Sequence, residues 1–511
     1  MAEQAPTKEQ VLQQVFGYHA FRPGQEELID GLLSHRDVLG IMPTGGGKSI
    51  CYQLPALMLP GITLVVSPLI SLMKDQVQTL VQLGVRGAYL NSSLTPKQLQ
   101  KALDNACRGV YRIIYLAPER LNTPSIRRLV ECQPISMVCV DEAHCVSQWG
   151  QDFRPSYLEI PKFIASLPQR PIVAAFTATA TPRVRQDIQS MLALRDPIIK
   201  VTGFDRPNLY FEVQRPEEKF DALVACLERH PKQSGIVYCL TRKEVETVHQ
   251  RLRTLGYAAS RYHGGLPPEE RAASQEDFIY DRTPIIVATN AFGMGIDKSN
   301  VSFVIHYNMP KDLESYYQEA GRAGRDGSNA DCILLYSGRD VKINEFMIDQ
   351  EEEEDSLSPE ARTFLRLQEH LRLQRMAEYA TRPGCLRSYL LRYFGEEEPK
   401  PCGNCSGCRR QQVAGLIHTR HSAAPGPIGG SNQVRSTALF AALDEERAKL
   451  ARRNGVAPFH IFSDLTLQEM AREKPQNEFQ LMQISGVTRA KCSRYGRAFL
   501  RVLSKFREEE P

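Results

Sequence analysis

Gly40-Ile41-Met42-Pro43-Thr44-Gly45-Gly46-Gly47-Lys48-Ser49 is the stretch on which the fold turns. An apolar run with strand character, 38–42, leads into it, and a helix-compatible stretch, 49–59, leads out. Three successive glycines let the backbone curl so that its N–H groups face a polyphosphate. Lys48 is then placed to reach the β- and γ-phosphates, and the Ser49 hydroxyl to sit on Mg²⁺ at a helix N-terminus. A glycine-rich strand-to-helix turn with no ligand reads the same over six residues, so the surroundings decide.

Outward from that loop, apolar runs of strand length recur at 37–42, 63–67, 112–117, 137–141 and 171–177, with helical patterns between them. Such alternation predicts a parallel sheet covered by helices on both faces. After Phe204-Asp205-Arg206-Pro207-Asn208 a second series follows at 235–239, 258–262, 285–288, 303–307 and 330–336. Two α/β domains are therefore expected, 1–203 and 204–342. The acidic run 351–355 reads as a solvated linker. A helical, arginine-rich stretch and a cysteine cluster follow, expected as one module over 343–410. Residues 411–435 have the Gly/Pro content of a flexible linker. The last helical unit, 436–507, is large enough to fold alone.

Bulk properties agree with several domains, since 511 residues exceed what one core supports. The net charge of +4 is uneven: residues 361–511 carry 25 Lys and Arg against 15 Asp and Glu. A basic rear half points to a polyanion partner. No run of about 18 apolar residues is present, which argues against a membrane partner. The first 20 residues lack the apolar core of a secretory signal. Eight of the 13 cysteines are scattered through the first 360 residues, several in strand-like runs, as expected of reduced thiols in a cytoplasmic protein.

Three constellations carry chemistry. Asp141-Glu142-Ala143-His144 follows an apolar strand, 93 residues after Lys48, at the end where α/β sheets present their ligand crevice. There Asp141 suits Mg²⁺ and Glu142 suits the orientation and deprotonation of an attacking water. Gln318, Arg322 and Arg325 stand at i, i+4 and i+7, so one helix face is expected to present all three to a phosphate. An arginine from a second domain can stabilise the charge that builds on a transferring phosphoryl group. Together these describe a nucleoside triphosphatase with its site at a domain interface. Cys385, Cys402, Cys405 and Cys408 form a C-x16-C-x2-C-x2-C pattern suited to tetrahedral, structural Zn²⁺, a redox pair being the alternative.

With these motifs in order, the chain resembles the RecQ-type DNA helicases of superfamily 2, from about residue 16 to 408. The resemblance rests on 16–25, 44–49, Val65-Val66-Ser67-Pro68-Leu69-Ile70-Ser71-Leu72-Met73-Lys74-Asp75-Gln76, 141–144, Phe176-Thr177-Ala178-Thr179-Ala180, 287–298 and 316–325. It implies two RecA-like domains, a helical zinc module and a small all-α tail. It further implies that Tyr18 stacks on adenine while Arg22 and Gln25 read it, with Thr44, Gly45, Gly46, Gly47, Lys48 and Ser49 holding the phosphates of ATP. Thr177-Ala178-Thr179 would couple the domains to the site. Arg325 would be the arginine finger, with Gln318 and Arg322 beside it. Ser67 and Thr289 would face the DNA backbone. The segment 145–155 holds the only tryptophan, Trp149, with Phe153 and Arg154. It resembles the family's aromatic-rich loop that links single-stranded DNA contact to hydrolysis. The tail resembles an HRDC domain at 456–464, 483–491 and 495–496. There the turn 486–491 opens a helix at which Arg489 and Lys491 could hold a phosphate.

One departure stands out. The family usually carries a winged-helix domain of about 100 residues between zinc module and tail, and only 411–435 intervenes here. The function implied is an ATP-dependent 3′–5′ DNA helicase of DNA repair and recombination, acting on single-stranded and forked or duplex DNA. Its cofactors would be ATP, Mg²⁺ and Zn²⁺, and single-strand-binding or other repair proteins are candidate partners. Its location would be cytoplasmic, with the nucleoid if bacterial. The alternative is a DNA-stimulated translocase or strand-annealing factor that unwinds weakly. An ATP-gated scaffold and an RNA helicase are less in keeping with the motifs.

Overall fold

The computed structural model describes residues 6–150, 152–293, 298–350, 359–397, 399–418 and 438–508. The chain forms two compact units that divide at Gly203/Phe204, and the tail belongs with the first of them.

The first unit is built on seven strands: β1 (Val38–Ile41), β2 (Ile62–Val66), β3 (Gly87–Leu90), β4 (Ile113–Leu116), β5 (Ile135–Val140), β6 (Ile172–Thr177) and β7 (Ile198–Val201). Their order is β3-β4-β2-β5-β6-β1-β7, and every pairing is parallel. Being parallel, the strands all end on the same edge. The loop after β1, Asp141 after β5 and Thr177 at the end of β6 therefore stand on three neighbouring strands. Val38, Val65, Tyr115, Cys139 and Phe176 pack the core on one face.

The second unit holds β8 (Leu209–Gln214), β9 (Ser234–Tyr238), β10 (Ala259–Tyr262), β11 (Ile285–Ala288), β12 (Val301–His306) and β13 (Ala330–Leu335). Their order is β10-β11-β9-β12-β13-β8, again all parallel. Three strands escaped the sequence reading, β3, β7 and β8, and all three are edges. Interior strands are buried along all or most of their length, whereas β3 and β8 alternate and β7 is mostly half-exposed. Without a continuous apolar run they look like loop.

Helices Pro359–Thr381, Leu386–Tyr393 and Ser406–His418 follow the second sheet. The last one continues into the stretch expected to be linker; 419–437 lie outside the described residues. This module covers the outer side of β8. Phe211 bridges to Cys405, the Val213 N–H donates to Ser406 Oγ at 3.1 Å, and Arg387 donates to the Leu209 carbonyl.

In the tail, helices Ala438–Asn454, Asp464–Glu473 and Arg497–Glu508 surround Leu443, Phe462, Met470, Phe499 and Leu503. Buried Arg447 pairs with Asp444 and Asp464, which satisfies its charge inside the bundle. The tail seats on the front of the first unit. The Gly486 N–H donates to the Gly17 carbonyl at 3.2 Å, and Arg494 and Tyr495 donate to Gln82 Oε1 at 3.3 and 3.4 Å. Gly17 sits at φ +74°, and a Cβ there would stand 2.8 Å from Thr488 Cγ2. Among the described residues no helix is long and apolar enough to cross a membrane.

Candidate functional site

The phosphate loop has the backbone that its glycines permit. Gly45 and Gly47 have φ of +80° and +83°, and a Cβ on Gly46 would lie 2.9 Å from the Pro43 carbonyl oxygen. Helix Lys48–Met58 starts at the end of the loop, and Lys48 Nζ donates to the Met42 carbonyl at 3.1 Å. Thr44, in the loop, and Ser49, in the first turn of the helix, are both half-buried.

The residues expected to read adenine are wired to this loop. Arg22 donates to the Gly45 carbonyl, and Gln25 Nε2 donates to the Gly47 carbonyl at 3.1 Å. Gln25 Oε1 also accepts from the Arg22 N–H at 2.8 Å. Tyr18, half-buried, packs against the small apolar cluster of Val11, Leu12, Phe16, Ile29 and Leu54. A bond to a P-loop carbonyl is a different task from reading a base. Nothing in the spacing of 22 and 25 foretold it.

Across the strand ends, Asp141 is buried, and its Oδ1 accepts from the Glu142 N–H at 3.0 Å. Burial, and then the Glu142 charge, push the Asp141 carboxyl up to about 7, against a smaller pull from Lys48. Glu142 holds a left-handed backbone, φ 47° and ψ 49°, an uncommon state for a side-chain-bearing residue at a site. His144, driven toward its neutral form by burial, bonds through Nδ1 to Thr177 Oγ1 at 2.7 Å and lies 3.4 Å from Glu142. Thr177 Oγ1 in turn accepts from the Thr179 N–H at 3.2 Å. One contributor was missed. Fully buried Tyr157 donates to the Asp141 carbonyl at 2.9 Å, a tether across sixteen residues with no sequence signature.

In the second unit the expected single face breaks down. The helix runs Leu313–Ala320, so Gln318 lies on its last turn while Arg322 and Arg325 fall in the glycine turn beyond it. Gly321 and Gly324 end the helix where a 3.6-residue count had continued it. That turn is clamped: Arg206 donates to the carbonyls of Ala323 and Gly324 at 3.1 and 2.7 Å, and Asn208 to those of Gly324 and Ser328 at 3.0 and 2.8 Å. Arg322 is buried and donates to the Gly293 carbonyl, so it braces the loop after Thr289. Arg325 is half-buried. His306 Nε2 and Glu319 Oε2, 2.9 Å apart, anchor the helix from within.

The expected DNA contacts divide. Trp149 and Phe153 are half-buried on the loop that runs on from His144. Arg154 is committed to Asp152 at 2.9 Å and to the Pro68 carbonyl at 3.2 Å. Ser67 is fully buried and Thr289 nearly so, so neither side chain is open to solvent in this conformation. In the tail, Arg489 is exposed, but Lys491 is half-buried with its ammonium 5.9 Å from the Phe462 ring centre. Burial pulls the Lys491 pKa down to about 8, which still leaves it charged near neutrality, so both cations remain but only Arg489 is exposed.

Cys385, Cys402, Cys405 and Cys408 converge, their sulfurs all within 4.8 Å of one another. Cys385 Sγ lies 3.5 Å from Cys402 Sγ and 3.9 Å from Cys405 Sγ. A tetrahedron with Zn–S near 2.3 Å has edges of about 3.8 Å, so the four thiols fit the ion. The Cys402 thiol, with the N–H groups of Cys408 and Leu386, holds the Cys405 thiol below its usual range, toward the thiolate that a metal requires.

Comparison with known proteins agrees with this geometry. Residues 22–188 match the DEAD/DEAH box helicase family, 218–327 the helicase conserved C-terminal domain, 338–409 the RecQ zinc-binding family and 436–503 the HRDC domain. An ATP-dependent DNA helicase RecQ of Bacillus subtilis is 36% identical, over 97% of this chain and 98% of its own. The ATP-dependent DNA helicase RecQ of Haemophilus influenzae is 33% identical, over 98% and 96%. Among solved structures, S. cerevisiae Dbp5 bound to RNA and ADP BeF3 superposes with a TM-score of 0.51 at 19% identity, over 69% of this chain and 94% of that one. That last likeness is one of fold alone. The paired parallel sheets, the four-thiol cluster and relatives aligned end to end place this chain in the RecQ family of superfamily 2 helicases.

Proposed function

We propose that the chain is an ATP-dependent DNA helicase that moves 3′ to 5′ on a single strand and serves DNA repair and recombination. The observation that carries this is the run of strand ends in the first unit. The phosphate loop, Asp141-Glu142 and Thr177 stand on three neighbouring strands, and the aromatic loop leaves directly from His144. In this reading Lys48 and the loop amides hold the β- and γ-phosphates, and Glu142 orients the attacking water. Arg325 steadies the transferring phosphoryl group. Ser49 and Asp141 are the residues that would hold Mg²⁺, which supplies charge neutralisation on the phosphates. The four-cysteine site is closed, so zinc is structural. The domain boundaries proposed are 1–203, 204–342, 343–410 and 436–507.

A second reading keeps the ATPase and drops efficient unwinding. It is favoured by the short interval after the zinc module. The alignment with the B. subtilis relative spans 588 positions against 511 residues here, so that relative has stretches with no counterpart in this chain. A winged helix is the proposed missing part.

Lys48→Ala is expected to lower ATP turnover by about 10³-fold, and Trp149→Ala to leave basal turnover while removing its stimulation by single-stranded DNA. DNA-stimulated hydrolysis surviving in Lys48→Ala would sink the central reading. Forked-duplex unwinding measured beside single-strand ATPase separates the two versions.

A further inference from the structure

Trp149 is expected to stack on DNA, yet in this structure one of its faces is already engaged. Arg183, on helix Pro182–Met191, places its guanidinium 5.4 Å from the centre of the Trp149 ring. One turn further along, Asp187 lies 3.7 Å from Arg183 Nε and accepts a hydrogen bond from Ser147 Oγ at 2.6 Å. Ser147 is fully buried, and its Oγ accepts from the Trp149 N–H at 3.1 Å. The Ser147 N–H donates to the His144 carbonyl at 3.1 Å, which joins this cluster to the residue that bonds Thr177. Gly150 closes the turn, since a Cβ there would stand 2.5 Å from the His144 carbonyl oxygen. One helix face thus holds the loop twice, by charge on the ring and by carboxylate on the hydroxyl beneath it.

We propose that Arg183 and Asp187 are positioning residues for the coupling of DNA to hydrolysis. Asp187 acts through Ser147 to set the loop, and Arg183 occupies the Trp149 face that a base takes over. The physics is an exchange of like for like. A guanidinium on an indole face at a part-exposed site is a weaker contact than a base stacked on an aromatic ring. DNA can therefore displace Arg183, and without DNA the ring stays seated. Arg183 is largely exposed, so it can swing into solvent when the base arrives. Displacement moves Trp149, whose N–H is bonded to Ser147, and Ser147 is one bond from His144. This inference rests on the DNA-stimulated ATPase proposed above.

The test uses the full-length chain, and its only tryptophan is the probe. Without DNA, Arg183→Ala should raise the acrylamide quenching constant of Trp149 by about two-fold, and Arg183→Lys should restore much of the difference. Single-stranded oligonucleotide should alter the wild-type emission at the same concentration that stimulates ATPase. Asp187→Ala should cut the stimulated turnover by about ten-fold with basal turnover within about two-fold of wild type. Asp187→Asn, which keeps an acceptor for Ser147, should recover most of it. Unchanged quenching in Arg183→Ala together with normal stimulation in Asp187→Ala overturns the inference. So does a parallel fall of basal and stimulated rates, which marks a merely structural role. A wild-type chain that DNA does not stimulate fails the underlying reading instead, and that outcome is read from the wild type alone.

Discussion

Asp141 shows how far a single residue's chemistry departs from its identity. Its carboxyl is pushed up to about 7 by burial and by the charge of Glu142, so near neutrality it is half protonated before any metal arrives. A cation bound there must displace that proton, and the sign follows: affinity weakens as pH falls. The Mg²⁺ concentration for half-maximal ATPase should rise about ten-fold from pH 8 to pH 6. Equal values at both pH values would count against Asp141 as a ligand. The same shift fixes a stability effect. The folded state binds this proton more tightly than the unfolded chain does, so folding loses stability as pH rises from about 4 to about 7. Asp141→Asn should therefore melt higher than wild type at pH 8. The position of Asp141 at a strand end was legible in the sequence. Its burial and its tether to Tyr157 were not, because they depend on a residue packed in from sixteen positions away.

At the scale of elements, the interior strands and the four cysteines were readable for the same reason: each is a dense local signal. An apolar run announces a strand buried on both faces, and C-x2-C-x2-C announces a metal knuckle. Edge strands β3, β7 and β8 were not readable, since their half-wetted faces dilute that signal. The helix ends at Ala320 although the 3.6-residue spacing of polar side chains continues past Gly321. The seat of the aromatic loop on Pro182–Met191 was likewise invisible, as its partners lie about 35–40 residues apart and belong to no motif. For the zinc module the expectation is one zinc per chain by atomic absorption. Cys405→Ser should lose it together with the order of helices Leu386–Tyr393 and Ser406–His418 seen by hydrogen exchange, because structural zinc contributes about 10 kcal/mol or more to such small modules.

At the scale of the molecule, the tail contributes to the first unit. Its Gly486 N–H caps the Gly17 carbonyl, one residue before Tyr18. Deleting 436–511 should raise amide exchange across 12–18 and change the half-saturating ATP concentration by about three-fold, the scale of one modest hydrogen bond. Unchanged exchange would mean that the seat is not populated in solution. The second unit depends on its own appended module in another way. β8 is the outermost strand of its sheet, and Cys405, Ser406 and Arg387 occupy its outward backbone groups. A chelator that strips the metal would do more than loosen a module. It would uncover a six-residue strand, Leu-Tyr-Phe-Glu-Val-Gln, with unpaired amides open to a neighbouring chain. The zinc site then acts as a guard against self-association, and metal depletion should appear first as turbidity and only afterwards as lost catalysis.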